Sequence, residues 1–277
     1  MVLPLGNEAK PQIVPWATYL LIALNVAGFG LELARPLSFS IAYAVTPYEI
    51  SHGVDIAEPF LHQVEPTNEP AVRRPDETSG SFIHQAPGPR PIWLTLITAL
   101  FLHADAVHLT GNLLFLFLFG QRIEEAFGRL TYLGFFLACG VVGTLTQVMV
   151  APESLRPNLG ASGAIAGVMG AYLVWFPRDR VRVLFINVLY LIPAYGVIGC
   201  WIALQVLKGY FLAGMDIQAG NIAYVAHLGG AATGIVVSVL LWFLKPDRNQ
   251  AKQADEEPAS ESNFLRSSFE DDPIAPE

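Results

Sequence analysis

"NLGASGAIAGVMGAYLVWFP", residues 158–177, carries no charged side chain and a single serine, Ser162, at the head of an apolar run. Gly160, Gly163, Gly167 and Gly170 recur in it at three- and four-residue spacing. Small residues at that spacing let helix backbones approach closely in lipid. The stretch therefore reads as a membrane helix packed against neighbours, and the composition agrees. Of 277 residues, 53% are hydrophobic and 14% charged, with mean hydropathy +0.44; soluble domains carry about 25% charged residues.

Working outward, six apolar runs approach the ~20 residues that cross ~30 Å of hydrocarbon. They are 13–33, 107–123, 130–150, 160–176, 183–206 and 222–244. The spacing predicts an all-α polytopic membrane protein with six transmembrane helices. The first run is too long for a signal-peptide core and no A-x-A-like cleavage site follows it, so it reads as a retained helix. The expected organisation is an N-terminal segment 1–12, a membrane domain 13–244 and an acidic, disordered tail 245–277. Within the domain, the connection 34–90 and the short stretch Ile92–Leu102 make one long outer loop, 34–106. The short stretch is read as re-entrant or interfacial.

The net charge of −8 belongs almost wholly to the tail. Residues 253–277 hold eight acids and one base, Arg266. The remainder is nearly neutral, with no basic patch for nucleic acid. Cys139 and Cys200 both fall in apolar runs and read as buried thiols. Placing the N-terminus in the cytoplasm puts ten of the sixteen lysines and arginines on the cytoplasmic side, concentrated in short segments such as Arg178, Arg180 and Arg182. That satisfies the positive-inside tendency. Both termini are then cytoplasmic, and the absence of an arginine-rich transit segment favours a bacterial plasma membrane.

Ionisable groups within membrane helices are costly and mark function. Three clusters stand out: "HADAVHLTGNLLF" (103–115), "GASG" (160–163) and "AYVAHLGGAATG" (223–234). In this topology His108, Ser162 and His227 all enter from the outer side and lie at similar depth. His227, Gly230 and Gly234 share one helix face at i, i+3 and i+7. Packed on the glycines of the fourth run, that face brings the His227 imidazole to the Ser162 hydroxyl. Serine becomes a nucleophile when a base within hydrogen-bond reach takes its proton, and neutral histidine does so near pH 7. His108 and Asn112, four residues apart, share a face. With the Ser162 backbone N–H they can donate to an oxyanion. No intramembrane carboxylate is placed to orient His227, which implies a Ser–His dyad. His103 reads equally as a structural donor and a catalytic one.

"GASG", "AHLGG", "HLTGN" and "FGQRIEEAFGRLTYL" (119–133) together resemble the rhomboid family of intramembrane serine proteases. The similarity covers roughly residues 13–244. It implies a six-helix bundle with a water-accessible cavity open to the outer face, and hydrolysis of peptide bonds in or beside the transmembrane segments of other proteins. By the match, Ser162 is the nucleophile, His227 the base, and His108 and Asn112 the oxyanion donors, with no cofactor and no metal. Substrates are expected to carry helix-weakening Gly or Pro near the cut. Two positions often aromatic in that family are Ala166 and Val225 here. The alternative is a catalytically inactive rhomboid-like binder of transmembrane clients; the presence of both Ser162 and His227 speaks against it. A transporter would be expected to show an internal repeat, and none is evident. No H-E-x-x-H motif supports a zinc protease.

Overall fold

The computed structural model describes residues 2–8, 11–56, 86–185, 188–213 and 223–244. The acidic tail and much of the 34–90 connection lie outside the described residues. Residues 1–238 form one compact unit. Of the second unit, the described residues Val239–Leu244 are the end of the last helix.

The architecture is mostly helical. The helices are α1 (Trp16–Ala34), α2 (Leu37–Tyr43), α3 (Pro47–His52), the short α4 (Ile92–Phe101), α5 (Ala106–Phe127), α6 (Arg129–Val150), α7 (Ser162–Trp175), α8 (Ala194–Ala213) and α9 (Ala223–Leu244). Among the described residues, α1, α5, α6 and Tyr224–Leu244 of α9 are long and apolar enough to cross a membrane. Their exposed apolar side chains, such as Leu20 and Leu24 on α1 and Leu130 and Met149 on α6, suit a lipid surround.

Helix α7 is different. Residues 163–172 along it are all buried, as expected of a helix that is apolar all round. Its 14 residues extend only ~21 Å, short of ~30 Å of hydrocarbon. Helix α5 starts where Asp105 caps it, its carboxylate accepting the His108 N–H at 2.8 Å. It carries one π turn at Leu116–Gly120 and ends at Gly128, whose φ of 82° reverses the chain into α6.

The fully buried Glu124, near the end of α5, ties that end to the start of α1. Its carboxylate accepts the Ala17 N–H at 2.9 Å, the Thr18 N–H at 2.7 Å and the Thr18 hydroxyl at 2.8 Å. These are first-turn N–H groups, which lack partners within their own helix, and a carboxylate there also meets the positive end of the helix dipole. On the opposite side, the start of the long connection braces the chain that leads into α7. Val45 and Asn158 exchange both backbone hydrogen bonds, at 2.8 and 2.7 Å, and Tyr48 N–H donates to the Ser154 carbonyl at 3.0 Å. The short α4 packs against α6 through Leu96 and Ala99, both buried.

Two expectations are corrected. Cys139 is buried, but Cys200 is exposed. The apolar run 183–206 is not a single helix. Its first part belongs to a hairpin, β2 (Arg180–Phe185) and β3 (Val188–Pro193), and α8 begins only at Ala194. The N-terminal segment adds β1 (Val2–Asn7), giving an antiparallel sheet in the order β1-β2-β3. The physical reason is visible in "RVRVLF": Arg180 and Arg182 are exposed while Val181 and Val183 are buried, the period-2 pattern of a half-buried strand. The continuous apolar run after it hid the turn.

Candidate functional site

Helices α7 and α9 meet backbone to backbone. A Cβ on Gly230 would strike the Gly163 carbonyl, and one on Gly234 the Gly167 carbonyl. Gly143 of α6 lies equally close to α9, where a Cβ would stand 2.6 Å from the Ala226 carbonyl oxygen. These three contacts fix where the first turns of α9 lie over the start of α7. They set His227 Nε2 at 2.7 Å from Ser162 Oγ, across 65 residues of sequence. In the tautomer that leaves Nε2 unprotonated, the serine hydroxyl donates to it.

His227 Nδ1 is buried and has no hydrogen-bond partner among the described residues. Among the described residues no carboxylate orients this ring; aromatic neighbours flank it. The Trp201 ring of α8 lies 5.5 Å away, centre to centre, and the Tyr224 ring 6.4 Å away, edge-on. Phe115 of α5 stands behind Trp201 at 6.5 Å. Sequence reasoning missed Trp201. Its register relative to His227 is set by the packing of α8, for which the apolar run gave no signal.

The chain enters α7 through Gly160, whose φ is +123°, a region that other residues rarely adopt. Its N–H donates to the Ala99 carbonyl at 2.8 Å. The His108 ring packs directly on it. A Cβ here would sit 2.7 Å from His108 Cε1, 3.0 Å from its Nε2 and 3.7 Å from Ser162 Oγ. His108 and Ser162 therefore flank the same glycine. This glycine was read from the sequence only as a packing residue.

Asn112 lies one turn along α5 and is buried, and its Nδ2 donates to His103 Nε2 at 2.9 Å. An amide nitrogen has two hydrogens, so one remains. His103 itself is held from the other side, its backbone N–H donating to Glu32 Oε2 at 2.7 Å. Burial, and secondarily the neighbouring His108, push the His103 imidazole down to about 4, against weaker opposing effects of the Phe101 backbone and Asp105. It is neutral at pH 7, as the bond accepted from Asn112 requires.

A cleft of about 30 Å³ opens beside the serine, lined by Gln147, Asn158, Gly160, Ser162 and Ala226 among others. Gln147 Oε1 and Asn158 Nδ2 are buried there without partners among the described residues. Room for a water molecule needs ~10–15 Å³ and two or more polar partners, and this cleft meets both conditions. A serine hydroxyl in contact with an imidazole, nearby hydrogen-bond donors and space for water thus occur together, an arrangement chemically suited to acyl transfer followed by hydrolysis.

The Rhomboid domain family model matches residues 90–243. Among curated proteins, the chain is 34% identical over 155 residues to rhomboid-like protein 11, chloroplastic, of Arabidopsis thaliana, covering 56% of this chain and 53% of that protein. It is 32% identical over 148 residues to the putative rhomboid protease YdcA of Bacillus subtilis, covering 53% and 67%. It is 27% identical over 165 residues to rhomboid protein 1, mitochondrial, of Saccharomyces cerevisiae, covering 58% and 44%. The chain spans about half the length of the chloroplastic and mitochondrial relatives and about two thirds of YdcA.

Proposed function

The chain belongs to the rhomboid family and is a multi-pass membrane protein, and we propose that it is an intramembrane serine endopeptidase working through a Ser162–His227 dyad. The single observation that carries this reading is the 2.7 Å contact between Ser162 Oγ and His227 Nε2, made at the buried end of a short helix.

In the proposed reaction, Ser162 Oγ attacks the scissile carbonyl carbon as His227 Nε2 takes its proton. The negative charge that develops on the carbonyl oxygen is met by His108, by the free amide hydrogen of Asn112 and by the Ser162 backbone N–H. That N–H is among the unpartnered donors of the first turn of α7. His227 then protonates the leaving amine, and an acyl-serine ester remains. A water molecule, for which the cleft beside Ser162 has room, gives its proton to His227 and attacks the ester. The new carboxyl end leaves and Ser162 is restored.

The substrates in this reading are transmembrane segments whose helices are weakened by Gly or Pro, since a regular helix hides its carbonyls in hydrogen bonds. The membrane domain runs from 13 to 244, crossing six times, with both termini on the cytoplasmic side. The basic residues Arg122, Arg129, Arg178, Arg180 and Arg182 support that orientation. A bacterial relative supports a bacterial plasma membrane, although other relatives carry organellar names.

The test is labelling by a fluorophosphonate probe and cleavage of a model transmembrane substrate in liposomes. Wild type is expected to do both, and Ser162→Ala and His227→Ala neither. Cleavage that survives Ser162→Ala would overturn the assignment. Folded wild type with neither labelling nor cleavage would favour a client-binding protein.

A further inference from the structure

The β2–β3 hairpin joins the end of one membrane helix, Trp175 of α7, to the start of another, Ala194 of α8. It therefore lies at the bilayer surface. Its side chains are unusual for a sheet in water. Arg182 pairs across the strands with Leu191, and Leu184 with Leu189, so these four share one face with Arg180. On that face Leu189 is 62% exposed and Leu191 49%. On the opposite face Val188 and Tyr190 are also about half exposed. Apolar side chains thus project from both faces of β3, which is an edge strand.

A long apolar edge strand in water invites aggregation. It cannot lie in hydrocarbon either, because its free N–H and C=O groups would go unsatisfied. The headgroup layer resolves both problems, since acyl chains begin where phosphates and water still reach. The charges match that layer. Arg178, Arg180 and Arg182 are all exposed, and none forms an ion pair among the described residues. The nearby Asp179 is already engaged, accepting from the Tyr172 hydroxyl at 3.0 Å and lying 3.5 Å from Arg122 Nε. The guanidinium fork suits phosphate oxygens.

We propose that this hairpin is a docking surface for anionic phospholipid headgroups. Arg178, Arg180 and Arg182 hold the phosphates, and Leu189 and Leu191 rest on the acyl boundary. The surface is separate from Ser162 and His227 and does not depend on whether the protein cuts its clients.

The test uses the full chain with Cys200→Ser and Val188→Cys, labelled at residue 188 with an environment-sensitive nitrobenzoxadiazole dye. The protein is reconstituted in phosphatidylcholine vesicles containing either spin-labelled phosphatidylglycerol or spin-labelled phosphatidylcholine. The dye is expected to report an interfacial setting and to be quenched more by the anionic lipid. Each Arg→Gln change at 178, 180 or 182 should lower the anionic-over-zwitterionic ratio by up to about five-fold, and the triple variant should bring it to one. Leu189→Ser with Leu191→Ser should reduce quenching by both lipids. Equal quenching by the two lipids in wild type would overturn the proposal, as would a water-like spectrum with no quenching. A signal that follows protein-to-lipid ratio would assign the β3 edge to pairing between copies instead.

Discussion

The Trp201 indole faces the His227 imidazole with ring centres 5.5 Å apart and planes inclined by 41°. His227 Nδ1 has no partner among the described residues, and there it is packing that holds the ring toward Ser162. Trp201→Ala is expected to lower kcat for a model transmembrane substrate by about ten-fold, because small misplacements of a reacting group are costly. Trp201→Phe should keep most of the activity. Equal rates for wild type and Trp201→Ala would remove the orienting role.

Gly160→Ala should be more damaging than its size suggests. The new methyl group would meet the His108 ring, and alanine would have to adopt a φ of +123°. Such strain costs ~1–3 kcal/mol. The expected result is a lower unfolding temperature in detergent together with a loss of fluorophosphonate labelling. Normal labelling would show that His108 can move aside without consequence.

Two glycines on neighbouring helices make a matched pair for the packing argument. Gly230→Ala would drive a methyl group into the Gly163 carbonyl and push α9 off α7. It is expected to abolish cleavage and destabilise the protein. Gly199 of α8 has nothing within 4 Å of where its Cβ would be, so Gly199→Ala should be neutral or stabilising by ~0.5–1 kcal/mol. Thermal unfolding of both variants checks the contrast.

Acid should weaken the structure through His103. Its folded value of about 4 lies below the ordinary 6.5, so between those values the unfolded chain binds more protons. The stability that neutral His103 contributes is fully present above about pH 6.5. It falls progressively as the pH drops toward the folded value of about 4. His103→Gln should flatten that part of the profile. Unfolding temperatures recorded at pH 7.5, 5.5 and 4.5 for both proteins would show it; parallel profiles would assign the acid sensitivity elsewhere.

The close approach was legible in the sequence, because the glycines on α7 and α9 supplied a reason for it and the two helices do meet there backbone to backbone. What the sequence lacked was everything decided by lateral packing. Nothing local says that Trp201 packs against His227, that Asn112 donates to His103, or that Glu124 reaches the first turn of α1. The hairpin escaped for a different reason. Only Arg180–Val183 alternate, and the apolar residues that follow have the hydropathy of a membrane span, so composition cannot separate an interfacial strand from a helix. The start of the long connection is aromatic and apolar in sequence, but nothing in it signals that Val45 and Tyr48 brace the approach to Ser162.

The pairing of β1 with β2 has a consequence for biosynthesis. Leu3 lies opposite Leu184, so β1 leaves the ribosome with its partner still about 180 residues downstream. At ordinary elongation rates that is a delay of roughly 10–40 s. Through that interval the strand has no edge to join, while α1, α5 and α6 are being threaded into the bilayer behind it. Closing the sheet is thus a late event, a molecular record that the first membrane helices are already in place.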